Sequence, residues 1–141
     1  MSDKFFLDTN ILVYTFDGRS PDKKARSLSL VADALQKGTG MISWQVIQEF
    51  LNVATCKFQI PLNPSDAKEY LNKVLYPLCQ IFPDLDLYQY ALDIQESLRF
   101  GYYDALIISA ALRGGCSILY SEDLQAGQQV QGVRILNPFQ P

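Results

Sequence analysis

The sequence predicts an α/β protein, a three-layer sandwich in which a central, mostly parallel five-stranded sheet is flanked by helices. Three observations predict it. Short apolar runs alternate with amphipathic stretches of helical length, the order that yields parallel strands joined by crossover helices. Helix starts and stops punctuate the chain, with Ser20-Pro21 and Asn63-Pro64 as starts and Gly38 and Gly114-Gly115 as stops. Hydrophobic residues make up 48% of the 141 positions, enough to cover both faces of one sheet in a single domain spanning 1–141.

The elements follow in order. Lys4 to Leu7 reads as a buried first strand ending at Asp8. Thr9 to Phe16 stays apolar and is followed by the turn signal Asp17-Gly18, and a first helix reads across much of it. Ser20 caps a second helix that Pro21 opens and Gly38 stops after about Lys37. Gly40 to Ile42 is a second strand, and Ser43 then caps a helix from Trp44 to about Lys57. Asn63-Pro64 opens a further helix that should end before or near Pro77, where a backbone donor is missing. Cys79 to Phe82 is the third strand, and Pro83 leads into a helix from Leu85 to Arg99 closed by Gly101. Asp104 caps or begins a helix to Arg113. Ser117 to Tyr120 and Val133 to Leu136 are the fourth and fifth strands. No repeat, low-complexity tract or linker divides the chain.

Composition excludes several classes of chemistry. There is no histidine, and the three cysteines (Cys56, Cys79, Cys116) are far apart with no C-x-x-C pair. That removes a thiolate–imidazole zinc site and any Ser-His-Asp or Cys-His machinery, and the thiols read as buried and structural. A net charge of −3 argues against a basic DNA-binding domain. No apolar run is long enough to span a bilayer, and the amino terminus lacks the features of a signal peptide, so no membrane role and a cytoplasmic location are expected.

Four acids stand out against this background. Asp8 follows Phe5-Phe6-Leu7, Glu49 sits beside Val46-Ile47, Asp104 precedes Ala105 to Ile108, and Asp123 follows Ile118 to Tyr120. A carboxylate beside core-forming segments is costly to ionise, and four converging ones repel unless a cation lies between them. Ligands of open α/β sheets sit beyond the carboxyl ends of the strands, where strand order reverses. Asp8 and Asp123 share that crevice if strands one and four are neighbours. A helical projection at about 100° per residue places Glu49 at the border of its apolar stripe, able to point along the sheet edge. Taken singly, Asp8 and Asp104 also suit helix caps, Glu49 a solvated helix face and Asp123 a turn.

At these residues the chain resembles the PIN-domain family, most closely its VapC-type toxins of toxin–antitoxin pairs. Phe6-Leu7-Asp8-Thr9-Asn10-Ile11-Leu12-Val13-Tyr14 resembles the first family motif, and Ser43-Trp44-Gln45-Val46-Ile47-Gln48-Glu49-Phe50 the second. Tyr103-Asp104-Ala105-Leu106-Ile107-Ile108 resembles the third, and Tyr120-Ser121-Glu122-Asp123-Leu124-Gln125 the fourth. The resemblance implies a metal-dependent ribonuclease with Asp8, Glu49, Asp104 and Asp123 as its acids. Asp8, Asp104 and Asp123 would hold the ion and Glu49 would ligate it or orient water. Asn10 and Ser121 match polar positions that support the acids, and Thr9 and Ser43 are lesser candidates. Oxygen-only ligands favour Mg²⁺ or Mn²⁺, with RNA cut by metal-activated water to leave a 5′-phosphate. Tyr102-Tyr103 departs from the tryptophan that relatives often carry there, and Glu122 is a further acid that competes with Asp123.

The resemblance also implies a cognate antitoxin whose tail covers the acidic groove, and a homodimer. Leu12, Val13, Phe16, Leu28 and Leu35 offer a partner groove or, as the plainer reading, core. Arg19, Lys23, Lys24 and Arg26 form a basic cluster that is either a solvated helix face or an RNA backbone contact. Tyr102 and Tyr103 either stack on bases or pack in the core. Three other functions compete: a catalytically silent PIN-like RNA- or protein-binding module, a metal-dependent phosphatase and a receiver-like signalling domain. The phosphatase usually needs an acid where this chain has Asn10, and no lysine suited to a receiver follows the late strands.

Overall fold

A computed structural model describes residues 2–140. The chain begins with β1 (Phe5–Leu7), α1 (Thr9–Tyr14), α2 (Pro21–Lys37), β2 (Gly40–Ser43) and α3 (Trp44–Cys56). It continues through α4 (Pro64–Tyr70), a π-helical turn (Leu71–Leu75), α5 (Tyr76–Leu78) and β3 (Cys79–Ile81). The remainder is α6 (Leu85–Leu98), α7 (Tyr102–Arg113), β4 (Ile118–Tyr120), β5 (Gln129–Val130) and β6 (Val133–Leu136).

The strands form one sheet in the order β3-β2-β1-β4-β6-β5. β1 pairs in parallel with both β2 and β4, and β4 with β6, while β5 runs antiparallel to β6. From β1 the chain first builds outward through β2 and β3, then returns to place β4 on the other side of β1. Strand order therefore reverses between β1 and β4, as the position of the acids required. Leu7 pairs with Tyr120 at the carboxyl ends of these strands. The Asp8 N–H donates to the Tyr120 carbonyl at 3.0 Å, and the Ser121 N–H to the Leu136 carbonyl at 3.0 Å.

The helices bury faces dictated by their periodicity. Leu30, Val31 and Ala34 of α2, Val46, Phe50 and Ala54 of α3, and Leu87, Ala91 and Ile94 of α6 recur every three or four residues and are buried. α7 is buried continuously from Ala105 to Ala111, as a helix apolar on most sides must be. Its one polar residue in that run, Ser109, donates to the Leu87 carbonyl of α6 at 3.0 Å. Among the described residues, no helix is long and apolar enough to cross a membrane.

Several local expectations need correction. Among the described residues the sheet has six strands, one more than expected, and the two-residue edge strand Gln129–Val130 has no apolar run to announce it. The first helix, by contrast, covers most of its expected stretch: α1 ends at Tyr14, and the Thr15 hydroxyl bonds back to the Leu12 carbonyl at 2.5 Å, a side-chain bond that competes with helix propagation. Ser20 and Ser43 precede their helices but make no side-chain cap bond. α6 is closed by Arg99 in the left-handed conformation (φ 60°), and Gly101 instead precedes α7 as its N-cap. Asp104 therefore lies in the first turn of α7 and is not its cap. Helical structure runs through Pro77 to Leu78, because the Tyr76 N–H reaches back five residues to the Leu71 carbonyl. That wider turn places Pro77 at the start of α5, where its missing donor costs least. Cys79 and Cys116 are buried as expected, whereas Cys56 is exposed at the end of α3.

Gly40 shows how tightly β2 is packed. A Cβ built on it would stand 2.3 Å from Ala34 Cβ and 2.7 Å from the Phe5 ring. Gly40→Ala is expected to cost roughly 2–3 kcal/mol through overpacking. A lower urea midpoint at unchanged slope would show this, and an unchanged midpoint would refute it.

Candidate functional site

The crevice between β1 and β4 collects the four predicted acids. Asp8 leaves the end of β1, Asp123 follows β4, Glu49 projects from α3 and Asp104 from the first turn of α7. All four line one cleft of about 620 Å³, with Thr9, Asn10 and Gln45 between them.

Neighbouring side chains fix the carboxylates at specific oxygens. Asp8 caps α1, its Oδ1 accepting from the Thr9 N–H at 2.7 Å, while its Oδ2 accepts from Ser121 Oγ at 2.8 Å. Ser121 Oγ in turn accepts from the Leu124 N–H at 3.3 Å, which holds the bend carrying Asp123. Glu49 Oε1 accepts from Thr9 Oγ1 at 2.6 Å and Oε2 from Gln45 Nε2 at 3.3 Å. Asn10 Nδ2 donates to Asp123 Oδ2 at 3.0 Å. Thr9, Asn10 and Ser121 each bond to one or more of these carboxylates. Capping α1 through one oxygen leaves Asp8 the other for Ser121.

Among the described residues, no salt bridge involves Asp8, Glu49, Asp104 or Asp123. Burial pushes the Asp8 carboxyl up to about 6 against the lowering bonds from Ser121 and Thr9, with Glu49 and Asp123 adding repulsion. Asp104 is raised too, first by burial and then by Asp123 and Glu49. Such mutual repulsion is what a bound cation relieves. Also, Asn10 Oδ1 is buried without a partner in this crevice. An all-oxygen donor set of this charge fits a hard divalent cation. Among the described residues, however, no three acidic or thiol side chains are already gathered into a closed metal cage.

Glu122 lines the same cleft as Asp123, but its carboxylate is engaged elsewhere, accepting from the Tyr14 hydroxyl and from Lys23 Nζ, both at 2.5 Å. Burial alone would raise its carboxyl, but these bonds outweigh it and hold the group below its usual value. Lys23 also lies over the Tyr14 and Phe139 rings.

The predicted basic cluster is dispersed for related reasons. Arg19 pairs with Asp17 at 3.0 Å, Lys23 is tied to Glu122, and Arg26 donates to the Pro138 carbonyl at 3.3 Å. Lys24 is half-buried on α2. Only Arg19 of these four lines the acidic cleft. The proposed partner groove also divides: Leu12 is core, Phe16 joins an aromatic cluster with Phe50, Phe58 and Tyr70, and Leu28 and Leu35 remain exposed on α2.

Tyr103 is exposed and Tyr102 half-buried, with their rings edge to face at 5.6 Å. Ser43 corrects an expectation. It is buried at the end of β2 and bonds to none of the acids, lining a neighbouring cavity instead. The residue missed from the sequence is Gln45, whose Nε2 joins Glu49 to the Tyr103 carbonyl (3.2 Å). Its position four residues before Glu49 on one helix was the available signal.

The PIN domain family matches residues 5–128. Among solved structures, DNA-bound VapBC from Salmonella typhimurium is similar over 96% of this chain and 97% of that one, at 21% identity and a TM-score of 0.66. VapBC2 from Rickettsia felis, bound to a fragment of its promoter, covers 93% and 96% at 22% identity and a TM-score of 0.63. The sarcin–ricin-loop-cleaving toxin VapC20 of Mycobacterium tuberculosis covers 85% and 90% at 14% identity and a TM-score of 0.62. A search of curated proteins returned no match. The structural neighbours share the doubly flanked, mostly parallel sheet, and the family match spans every element that carries an acid of the cleft, from β1 to the bend after β4. On these grounds the chain belongs to the PIN-domain family.

Proposed function

We propose that this protein is a metal-dependent endoribonuclease, the toxin of a toxin–antitoxin pair, hydrolysing RNA phosphodiester bonds. The observation that carries this reading is the convergence of four carboxylates in one cleft, none of them in a salt bridge among the described residues although Arg19 and Lys57 also line it. Family membership supports a nuclease. The structural neighbours that are toxin–antitoxin complexes support the toxin assignment, and the RNA-cleaving toxin among them supports RNA as substrate.

Asp8, Asp104 and Asp123 would hold Mg²⁺ or Mn²⁺. When bound, the cation lowers the pKa of a water and offsets charge on the scissile phosphate. The chain's own side chains do the positioning. Ser121 and the Thr9 N–H fix Asp8, and Asn10 fixes Asp123. Thr9 and Gln45 hold Glu49 by one oxygen each, so its carboxylate can orient the attacking water and receive its proton. With no histidine in the chain, a carboxylate is the natural base, and the product carries a 5′-phosphate. The partners in this reading are RNA and a cognate antitoxin that covers the acidic cleft. A homodimer and a cytoplasmic location belong to the same reading.

Incubation with total RNA tests the activity. Cleavage is expected with Mg²⁺ or Mn²⁺, is lost in EDTA and returns when the cation is restored, with 5′-phosphate ends. The lack of a closed cage favours one rival, a catalytically silent RNA- or protein-binding module. RNA left intact by folded protein in all three conditions would establish that rival. A second comparison concerns the two adjacent acids. Asp123→Asn should cost at least roughly 100-fold in cleavage rate, since even outer supports of a metal site are worth about 10–100-fold. Glu122→Gln should change it by no more than about three-fold, because that carboxylate is already bound to Lys23 and Tyr14. Rates in the opposite order would reassign the fourth acid.

A further inference from the structure

A second cavity, of about 240 Å³, lies beside the acidic cleft. Gln45 and Tyr103 line both. Pockets for whole drug-sized ligands run to about 300–1,000 Å³, so this one has the scale of a single ring system. Its walls include Trp44, Tyr88, Tyr102 and Tyr103. Trp44, Tyr88 and Tyr103 are 46%, 38% and 67% exposed, so water reaches rings that a packed core would have covered.

Two polar groups in these walls are unsatisfied. Ser43 is 3% exposed and its Oγ has no partner. Gln45 Oε1 is likewise buried and unpaired. The orientation of the Gln45 amide is fixed, because its nitrogen donates to Glu49 Oε2 and to the Tyr103 carbonyl, and both can only accept. What remains is one pure acceptor, Gln45 Oε1, and one hydroxyl able to donate or accept, Ser43 Oγ. Leaving both unpaired in the interior is costly.

Building on the ribonuclease reading, we propose that this cavity is a nucleobase subsite. It receives the base of a nucleotide next to the scissile phosphate. The aromatic rim supplies stacking surface, which any base can use. In adenine or cytosine the exocyclic amine donates to Gln45 Oε1, and the neighbouring ring nitrogen accepts from Ser43 Oγ. Uracil answers the same pair with its N3–H and an adjacent carbonyl, so the subsite holds a base edge without choosing among bases. Gln45 couples binding to chemistry, because the amide that meets the base also holds Glu49.

Trp44 is the only tryptophan in the sequence, and its emission therefore reports occupancy. The full chain is titrated in EDTA, where no cleavage occurs, with adenosine 5′-monophosphate and with ribose 5-phosphate, which lacks the base. Saturable quenching is expected with the nucleotide, and binding of the ribose phosphate is expected to be at least about ten-fold weaker. Tyr88→Ala should weaken adenosine monophosphate binding about ten-fold and Ser43→Ala several-fold, with unchanged melting temperatures. In cleavage assays Tyr88→Ala should raise KM and leave kcat unchanged. Absence of saturable quenching, or equal affinity for the nucleotide and the ribose phosphate, overturns the subsite. So does a concentration-dependent Trp44 emission shift accompanied by dimerisation that excludes the nucleotide, since a second copy would then cover this face. The two readings fail separately: quenching without any RNA cleavage refutes the nuclease and keeps the base site, whereas cleavage without quenching does the reverse.

Discussion

Asp8→Asn is expected to abolish cleavage and, in the absence of divalent cation, to make the protein more stable at neutral pH. The first effect follows from removing the most buried charge of the cleft. The second follows from linkage. Asp8 titrates near 6 in the folded chain, above its ordinary value of 3.8. Folding thus favours the protonated form of this group, and ionising it penalises the native state. The penalty is absent below the unfolded pKa near 3.8, grows as pH rises and is complete above about 6. Each pKa unit is worth about 1.4 kcal/mol, so the penalty approaches ~3 kcal/mol at pH 7.5. Asparagine cannot ionise and escapes it. Part of the gain is lost because the amide cannot accept from both Thr9 N–H and Ser121 Oγ as the carboxylate does.

Thermal melts in EDTA at pH 4.5 and 7.5 give the measurement. The variant should melt above wild type at pH 7.5, and the two should converge at pH 4.5. Asp104 is raised in the same direction, so both proteins keep a smaller shared decline between those values. Mg²⁺ should then raise the wild-type melting temperature at pH 7.5, as any ligand of the native state does, and raise that of the variant far less. Unimpaired cleavage by folded Asp8→Asn would reject the nuclease reading. A variant less stable than wild type in EDTA at pH 7.5 would show that the carboxylate is held for structure.

The parts of the fold legible in the sequence are those where one local signal sufficed. Phe5-Phe6-Leu7 followed by Asp8 declared a buried strand with a polar residue at its carboxyl end, and the structure places it at the centre of the sheet. The helix faces of α2 and α3 could be read from periodicity. Signals with two physical outcomes were misread. Gly101 can end one helix or begin the next, and Arg99 took the left-handed closing position usually given to glycine. Pro77 is a breaker unless the preceding turn widens, which hydrophobic pattern cannot reveal. The convergence of the four acids was expected from strand order, whereas their partners depended on side-chain direction. Glu122 and Asp123 are adjacent in sequence, yet one turns to Lys23 and the other to Asn10. Ser43, expected to support the acids, lies across Gln45 from them in the neighbouring cavity.

Phe50→Ala should produce the largest stability loss, about 3–5 kcal/mol, against a total of roughly 5–15 kcal/mol for a domain. Phe50 is fully buried, stacks on Tyr70 at 4.9 Å and contacts Phe16 and Phe58 at ring distances of 5.8 and 6.1 Å. Those partners come from the segment after α1, the end of α4 and the turn following α3, so one ring joins three parts of the chain. It also follows Glu49 directly on α3, and Glu49 reaches across to Thr9 on α1. The packing that holds α1 against α3 is therefore what sets the Thr9–Glu49 bond. Alanine should lower the urea midpoint sharply and, in the molecules still folded, slow cleavage by loosening that bond. Phe50→Leu keeps most of the volume and should recover much of both losses, which separates packing from any role of the ring itself. If Phe50→Ala melted like wild type, the aromatic cluster would not be the structural support of the acidic cleft. If Phe50→Leu restored stability without restoring cleavage, alignment of Glu49 would depend on the aromatic ring beyond the volume it fills.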